Sequence, residues 1–80
     1  MESEMKFVTF NGYNGEQIIV FPRKIQHLQF AESIERLSYG TMRPISGGFV
    51  KDGECVAESV SLGLESRGDA DTALLSSLLN

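Results

Sequence analysis

The sequence predicts a small α+β domain with the element order ββαββα, in which a central helix packs an antiparallel sheet of about four strands and an amphipathic helix forms the C-terminus. Two turn-forming segments, NGYNGE and Asp52-Gly53, each separate a pair of β-like runs. Between the two hairpins, apolar residues recur at helical spacing. The chain of 80 residues has the length of one domain, which we place at residues 1–80.

The first hairpin is predicted from two runs rich in β-branched and aromatic residues, KFVTF (6–10) and QIIVF (17–21). The segment between them contains two Asn-Gly pairs, and both residue types tolerate the positive φ that tight turns require. Both runs carry apolar residues on both faces, so we expect strands that are central rather than at an edge. Pro22 ends the second strand because it lacks the N–H that a ladder needs.

A helix is predicted over residues 26–39, where the apolar spacing changes to about 100° per residue. Gly40 suits the position after its C-terminus, and Pro44 makes continuation unfavourable. Leu28 and Tyr39 lie outside the apolar face, so we expect them to be half-exposed or to contact something else. The apolar face comprises His27, Phe30, Ala31, Ile34 and Leu37.

The second hairpin is predicted from residues 45–51 and 54–64, which flank Asp52-Gly53. In a long strand over 54–64, alternate residues separate into two faces. One face is bulky and apolar apart from Glu58, and it contains Val56, Val60, Leu62 and Leu64. The other face is made of small side chains, which permit close approach by another backbone, and it contains Cys55, Ala57, Ser59, Ser61 and Gly63.

The C-terminal helix is predicted to begin at Asp69, which suits an N-cap, with Asp71 adding favourable charge to the first turn. An isolated helix of this length is marginal in water, so its apolar stripe must dock on its own domain or on a second subunit. We therefore predict an interface formed by four leucines of this helix, Leu74, Leu75, Leu78 and Leu79.

Composition and charge narrow the range of partners. The chain is 41% hydrophobic and 22% charged, as ordinary globular domains are. Residues 1–50 carry five basic and five acidic side chains, and residues 51–80 carry two and six, so the whole net charge of −4 lies in the last part. Nucleic-acid binding requires clustered Lys and Arg, so no nucleic-acid partner is expected. No apolar run reaches the roughly 18 residues of a membrane span, so no membrane partner is expected.

The location and the cofactors are predicted from the N-terminus and from the metal-ligating residues. The segment MESEMKF lacks the basic and apolar layout of a signal peptide, and one cysteine cannot form a disulfide within the chain, so we expect a cytoplasmic protein. The chain has one His and one Cys, whereas a closed zinc site needs four ligands, so we expect no metal and no other cofactor.

Two short motifs resemble known sites. Gly47-Gly48 has neither the GxxxxGK[ST] nor the GxGxxG context of a phosphate-binding loop and precedes a strand, so we interpret it as shaping that strand or a bulge. Arg67-Gly68-Asp69 matches an integrin-binding tripeptide. A turn at Gly68 and a helix cap at Asp69 account for it without that function.

Three further residues define a candidate pocket. Cys55 and His27 are the residue types of a nucleophile–base pair, but no local signature accompanies them, and burial in a core or interface is the commoner outcome for both. Glu58 is the one acid on a bulky apolar face. It is a buried carboxylate with a raised pKa, a residue at a strand edge, or the partner of Arg36 or Arg43 across the sheet.

Two stretches together resemble a family of small uncharacterised bacterial and phage-associated proteins. They are KFVTFNGYNGEQIIVFPRKIQHLQFAES and PISGGFVKDGECVAESVSLGLESRGDADTALL, and they cover most of the chain. The resemblance implies a compact α+β fold assembled as an intertwined dimer. It implies no enzymatic activity, and no functional residue is transferred from it.

The sequence therefore favours a small non-catalytic homodimeric protein-interaction module, with a second copy or another protein as partner. The small core, the leucine stripe and the small-residue face of residues 54–64 support this interpretation. One alternative is a small-molecule-binding protein or minor enzyme with a pocket near His27, Cys55 and Glu58. Another is an acidic decoy of a basic surface, suggested by the charge of the C-terminal part.

Overall fold

The computed structural model describes the backbone of residues 5–79 and the side chains up to Leu78. Four strands form an antiparallel sheet in the order β2-β1-β3-β4, and two short strands form a second sheet, β5-β6. The elements are β1 (Met5–Gly12), β2 (Gly15–Phe21), α1 (His27–Leu37), β3 (Arg43–Lys51), β4 (Glu54–Val56), β5 (Glu58–Ser59), β6 (Leu64–Glu65) and α2 (Asp69–Leu79). The predicted α+β class, with a four-stranded antiparallel sheet and two helices, is confirmed. In the described part of the chain, neither helix has the length and apolar character needed to cross a membrane.

The first hairpin has the predicted pairing, from Lys6 opposite Phe21 to Gly12 opposite Gly15. β1 is central, as expected, because β3 pairs with its other side. The prediction of a central position is wrong for β2, which forms an edge of the sheet. Helices cover both faces of the sheet, so even an edge strand carries apolar residues on both sides.

The core consists of two apolar clusters, one on each face of the sheet. On the α1 face, the rings of Phe21 and Phe30 stack with their centroids 4.0 Å apart, which confirms the predicted packing by the central helix. The buried members of this cluster are Val8, Phe10, Phe21 and Ala31. On the α2 face the buried members are Phe7, Ile18, Cys55 and Leu75. The C-terminal helix therefore docks on the sheet of its own chain.

The long strand predicted over residues 54–64 is wrong. β4 ends at Val56, and Ala57 adopts a left-handed conformation with φ 63°. The chain then forms the small β5–β6 hairpin, in which Ser59 is buried while Glu58 and Val60 are exposed. The two-faced alternation predicted for residues 54–64 is therefore lost beyond Val56.

The double glycine explains why β4 ends where it does. Gly48 lies inside β3 opposite Phe7, and a Cβ at this position would collide with the Val56 carbonyl oxygen and lie 3.2 Å from the Phe7 ring. Glycine is thus required for the chain at Val56 to cross so close to β3. Gly47-Gly48 thus lies in the middle of β3 rather than at a strand entry, and Gly48 shapes the strand through close approach rather than through an unusual φ.

Candidate functional site

His27 is a core residue on the α1 face. Its ring lies edge-on to the rings of Phe21 and Phe49, with centroids 5.5 and 5.6 Å away. Its Nε2 donates a hydrogen bond to the Gly48 carbonyl oxygen at 2.8 Å. Burial lowers the pKa of His27 and the nearby Lys6 charge lowers it further, against the opposing effect of the Gly48 hydrogen bond. The ring therefore holds α1 on the sheet as a neutral imidazole at pH 7.

Cys55 and Glu58 lie away from His27. Cys55 is buried on the α2 face, so the sheet separates it from His27. Burial and the Asp71 carboxylate raise the pKa of the Cys55 thiol, although a hydrogen bond with Thr72 opposes this effect. Glu58 is exposed on β5 and forms no ion pair with Arg36 or Arg43 in the part of the chain that the structure describes. The structure does not bring the three predicted pocket residues together.

The candidate site is a surface groove between β2 and α2, which we call the β2–α2 groove. It has a volume of about 400 Å³. Its lining residues are Glu16, Gln17, Ile18, Ile19, Leu74, Ser77 and Leu78. Leu78 is 60% exposed and lies beside the other apolar side chains of the groove, so the exposed apolar surface is continuous there.

The four predicted interface leucines have different positions. Leu75 is buried in the core of its own chain, Leu74 is partly buried along the groove, and Leu78 is exposed at the groove. The side chain of Leu79 lies outside the described part. The inner side of the stripe thus docks α2 on its own chain, while Leu78 remains exposed, and an interface formed by these leucines stays a prediction.

A charge cluster around the buried Asp71 fixes α2 beside β2. Asp71 is fully buried and accepts hydrogen bonds from Thr9 Oγ1 at 2.9 Å, from the Arg67 backbone N–H at 2.8 Å and from Arg67 Nη2 at 2.7 Å. Arg67 also binds Glu16 of β2 through both of its terminal nitrogens, each at 3.1 Å. Because Glu16 lines the groove, this clamp ties the groove wall to the start of α2.

The Asp71 carboxylate is charged despite its burial. Burial raises its pKa, but the hydrogen bonds from Arg67 and Thr9 outweigh that effect, so the pKa lies below its ordinary value. The Ser46 hydroxyl also lowers this pKa, although it has no partner of good hydrogen-bond geometry in the described part of the chain. The hydrogen bonds of Arg67 with Glu16 and with Asp71 raise the pKa of Arg67, so both Arg67 and Asp71 stay ionised.

The two edges of the four-stranded sheet differ in the hydrogen bonds that side chains make to the edge backbone. At the β4 edge, the Cys55 N–H donates to Thr72 Oγ1 at 3.0 Å, and Ser66 Oγ donates to the Cys55 carbonyl at 2.8 Å. At the β2 edge, no side chain within residues 5–78 is hydrogen-bonded to the strand's backbone. The β2–α2 groove therefore lies next to an open strand edge.

Comparison with protein-family models, with curated proteins and with solved structures finds no significant match. The family resemblance of the two quoted stretches accordingly stays a prediction. A function for this chain has to be argued from the groove, the open edge and the residues that form them.

Sequence reasoning identified the α2 side of the groove and missed its β2 side. Ile18 and Ile19 were interpreted as residues of a central strand, and Glu16 as part of a turn. The Arg67–Asp71 pair was also missed, because Asp71 was assigned to the exposed first turn of a helix. The i, i+4 spacing of these two residues was the one local signal for their pairing.

Proposed function

We propose that this chain is a small non-catalytic protein-interaction module that self-associates as a homodimer through the β2–α2 groove. The observation that carries the proposal is the exposed Leu78 beside an apolar groove at an unpaired strand edge. Water-exposed apolar surface next to unpaired backbone groups is a common site of polypeptide binding. A chain of 80 residues also has a small core, and association supplies further burial.

The alternative of a ligand pocket at His27, Cys55 and Glu58 receives no support from the geometry. The first two lie on opposite faces of the sheet, and the third is on the surface. For His27 and Cys55, burial in the core is the largest cause of the pKa shift, so neither shift indicates a reactive site.

The proposal is tested by molar mass in solution as a function of concentration, using light scattering after size exclusion. We expect the wild-type mass to rise toward that of a dimer and Leu78→Ser to remain a monomer at the same concentrations. Leu37→Ser is the matched control, because Leu37 is 77% exposed on α1, away from the groove. It should dimerise like the wild type.

Two outcomes contradict the proposal. A wild-type chain that is monomeric at every concentration has no self-association to explain. Equal loss of dimer in the Leu78 and Leu37 variants means that the β2–α2 groove is not the contact surface.

A further inference from the structure

The outer edge of β2 is long, regular and almost uncharged. The strand runs over seven residues, Gly15–Phe21, and its register with β1 is unbroken along that length. Glu16 is its one charged residue, and Arg67 pairs with it. Soluble proteins usually protect an edge by a short strand, a bulge, a proline or an inward-pointing lysine, and β2 has none of these.

The β2–α2 groove follows this edge rather than one face of the sheet. Ile18 lies on the α2 face and Ile19 on the α1 face, and both line the groove. A groove lined by consecutive residues of one strand, whose side chains point to opposite faces, runs along the margin of that strand. An occupant of the groove therefore also meets the outward backbone groups of β2.

Two acids near the β3–β4 turn lie at the opposite edge of the sheet from β2. The strand order puts β2 and β4 at opposite edges, and the acids Asp52 and Glu54 belong to the β3–β4 turn and to β4. α2 packs on β4 at Thr72, near its acidic first turn, and reaches the groove at Leu74 and Leu78. Association at β2 thus keeps Asp52 and Glu54 of two copies apart, whereas association at β4 brings them together.

We infer that the occupant of the β2 edge is a second copy of this chain, whose β2 pairs antiparallel with β2 about a two-fold axis perpendicular to the sheet. The dimer then contains one continuous sheet with twice the four strands of a single chain. The inference rests on the proposed function and specifies its contact.

The strand is compatible with pairing to itself in this way. A two-fold axis at Ile18 or Ile19 sets Glu16 opposite Val20 or Pro22, so like charges do not face each other across the pair. The same axis keeps both α2 helices on one face of the joined sheet. Each Leu78 then lies beside the groove of the other copy, where its exposed surface is buried.

The inference is tested by NMR on the full chain at a concentration where light scattering shows dimer. A sample made from equal amounts of isotope-labelled and unlabelled chains reports contacts between copies, and amide exchange reports protection of β2. We expect intermolecular contacts between β2 backbones, and slow exchange of every amide over residues 17–20. In Leu78→Ser, the outward half of these amides should lose that protection.

The outcomes separate the inference from the proposed function. A dimer whose intermolecular contacts involve Leu78 but no β2 backbone, with the outward amides exchanging freely, overturns strand pairing and leaves the homodimeric module standing. A chain that never dimerises overturns both, and directs the search to another extended polypeptide as the occupant of the edge.

Discussion

The sheet ends at β4 on one side and at β2 on the other, and the two edges differ in whether side chains bind their outward backbone groups. β4 has three residues, and the hydroxyl groups of Ser66 and Thr72 form hydrogen bonds with the backbone carbonyl and N–H of Cys55. β2 has seven residues and an unoccupied margin next to an exposed leucine. One small fold thus contains one edge whose backbone groups are bound by side chains and one open edge, and the proposed self-association uses the open edge.

The largest effect on stability is expected from Gly48→Ala, which disrupts the close approach of β3 and the end of β4. A Cβ at Gly48 collides with the Val56 carbonyl, and backbone cannot yield as a flexible side chain can. We expect a loss of about 3 kcal/mol or more in the free energy of unfolding, measured by urea denaturation. Gly12→Ala is the control, since its Cβ would meet the flexible Met42 side chain at 3.2 Å. Equal costs for the two variants would rule out the close crossing of β3 and β4.

The second effect concerns the clamp that holds α2 beside the open edge. Asp71→Asn leaves Arg67 with Glu16 alone and places an amide in a buried site built for a carboxylate, so we expect a loss of about 2–4 kcal/mol at pH 7. Asp69→Asn changes an exposed carboxylate in the same turn and should cost little.

The same clamp predicts a pH dependence. Because the pKa of Asp71 is lowered in the folded state, its contribution is fully present above the ordinary Asp pKa of about 4 and is lost as the pH falls through the lower folded value. Denaturation of wild type and Asp71→Asn from pH 6 to pH 2 should therefore converge at low pH. A constant difference across that range is the contradicting result.

A smaller effect on stability is expected from removing a hydrogen bond between a side chain and the β4 backbone. Thr72→Val removes the acceptor of the Cys55 N–H with little change of shape, and we expect a cost of about 1–2 kcal/mol with faster exchange of the Cys55 amide. Ser76→Ala removes an exposed hydroxyl from the same helix and serves as the control. If the Cys55 amide exchanges as slowly as before, the Thr72 hydroxyl is not what closes this edge.

The smallest effect is expected at Ala57, where β4 ends. Its φ of 63° is costly for a residue with a Cβ, so Ala57→Gly should stabilise the fold by up to about 1 kcal/mol. The same substitution at the exposed Ala73, inside α2, should destabilise by about 0.5–1 kcal/mol. Thermal denaturation of the pair should give shifts of opposite sign, and shifts of the same sign would contradict the left-handed geometry.

The elements of the fold that the sequence predicts correctly are those that depend on local sequence patterns. Asn-Gly pairs, Asp52-Gly53 and the helical spacing from His27 to Ile34 each depend on neighbouring residues alone, and the corresponding elements were predicted. The position of β2 was not predictable in this way. Apolar residues on both faces of a strand show that both faces are covered, and they contain no information about how many strands pair with it.

The remaining errors come from contacts between distant residues. Alternation continues through Ala57 in the sequence, and the strand ends there because of Gly48 in another strand. Asp71 has the composition of an exposed helix start, and its burial depends on Thr9 at the other end of the chain. The groove was not predictable as a whole for the same reason, since residues 16–19 and 74–78 form its two walls and most of the sequence separates them.

The hydrogen bond between Thr9 and Asp71 joins residues 62 positions apart, and the Arg67–Glu16 pair joins residues 51 apart. β1 therefore acquires its α2 partner only when the chain as far as α2 has been made. At about 5–20 residues per second, the β1–β2 hairpin waits roughly 3 to 12 s for α2 during synthesis. Throughout that interval Phe7 and Ile18 face solvent, and folding dominated by such distant pairs is slow even after release. The nascent chain is thus most prone to aggregation while its N-terminal hairpin has emerged and its C-terminal helix has not.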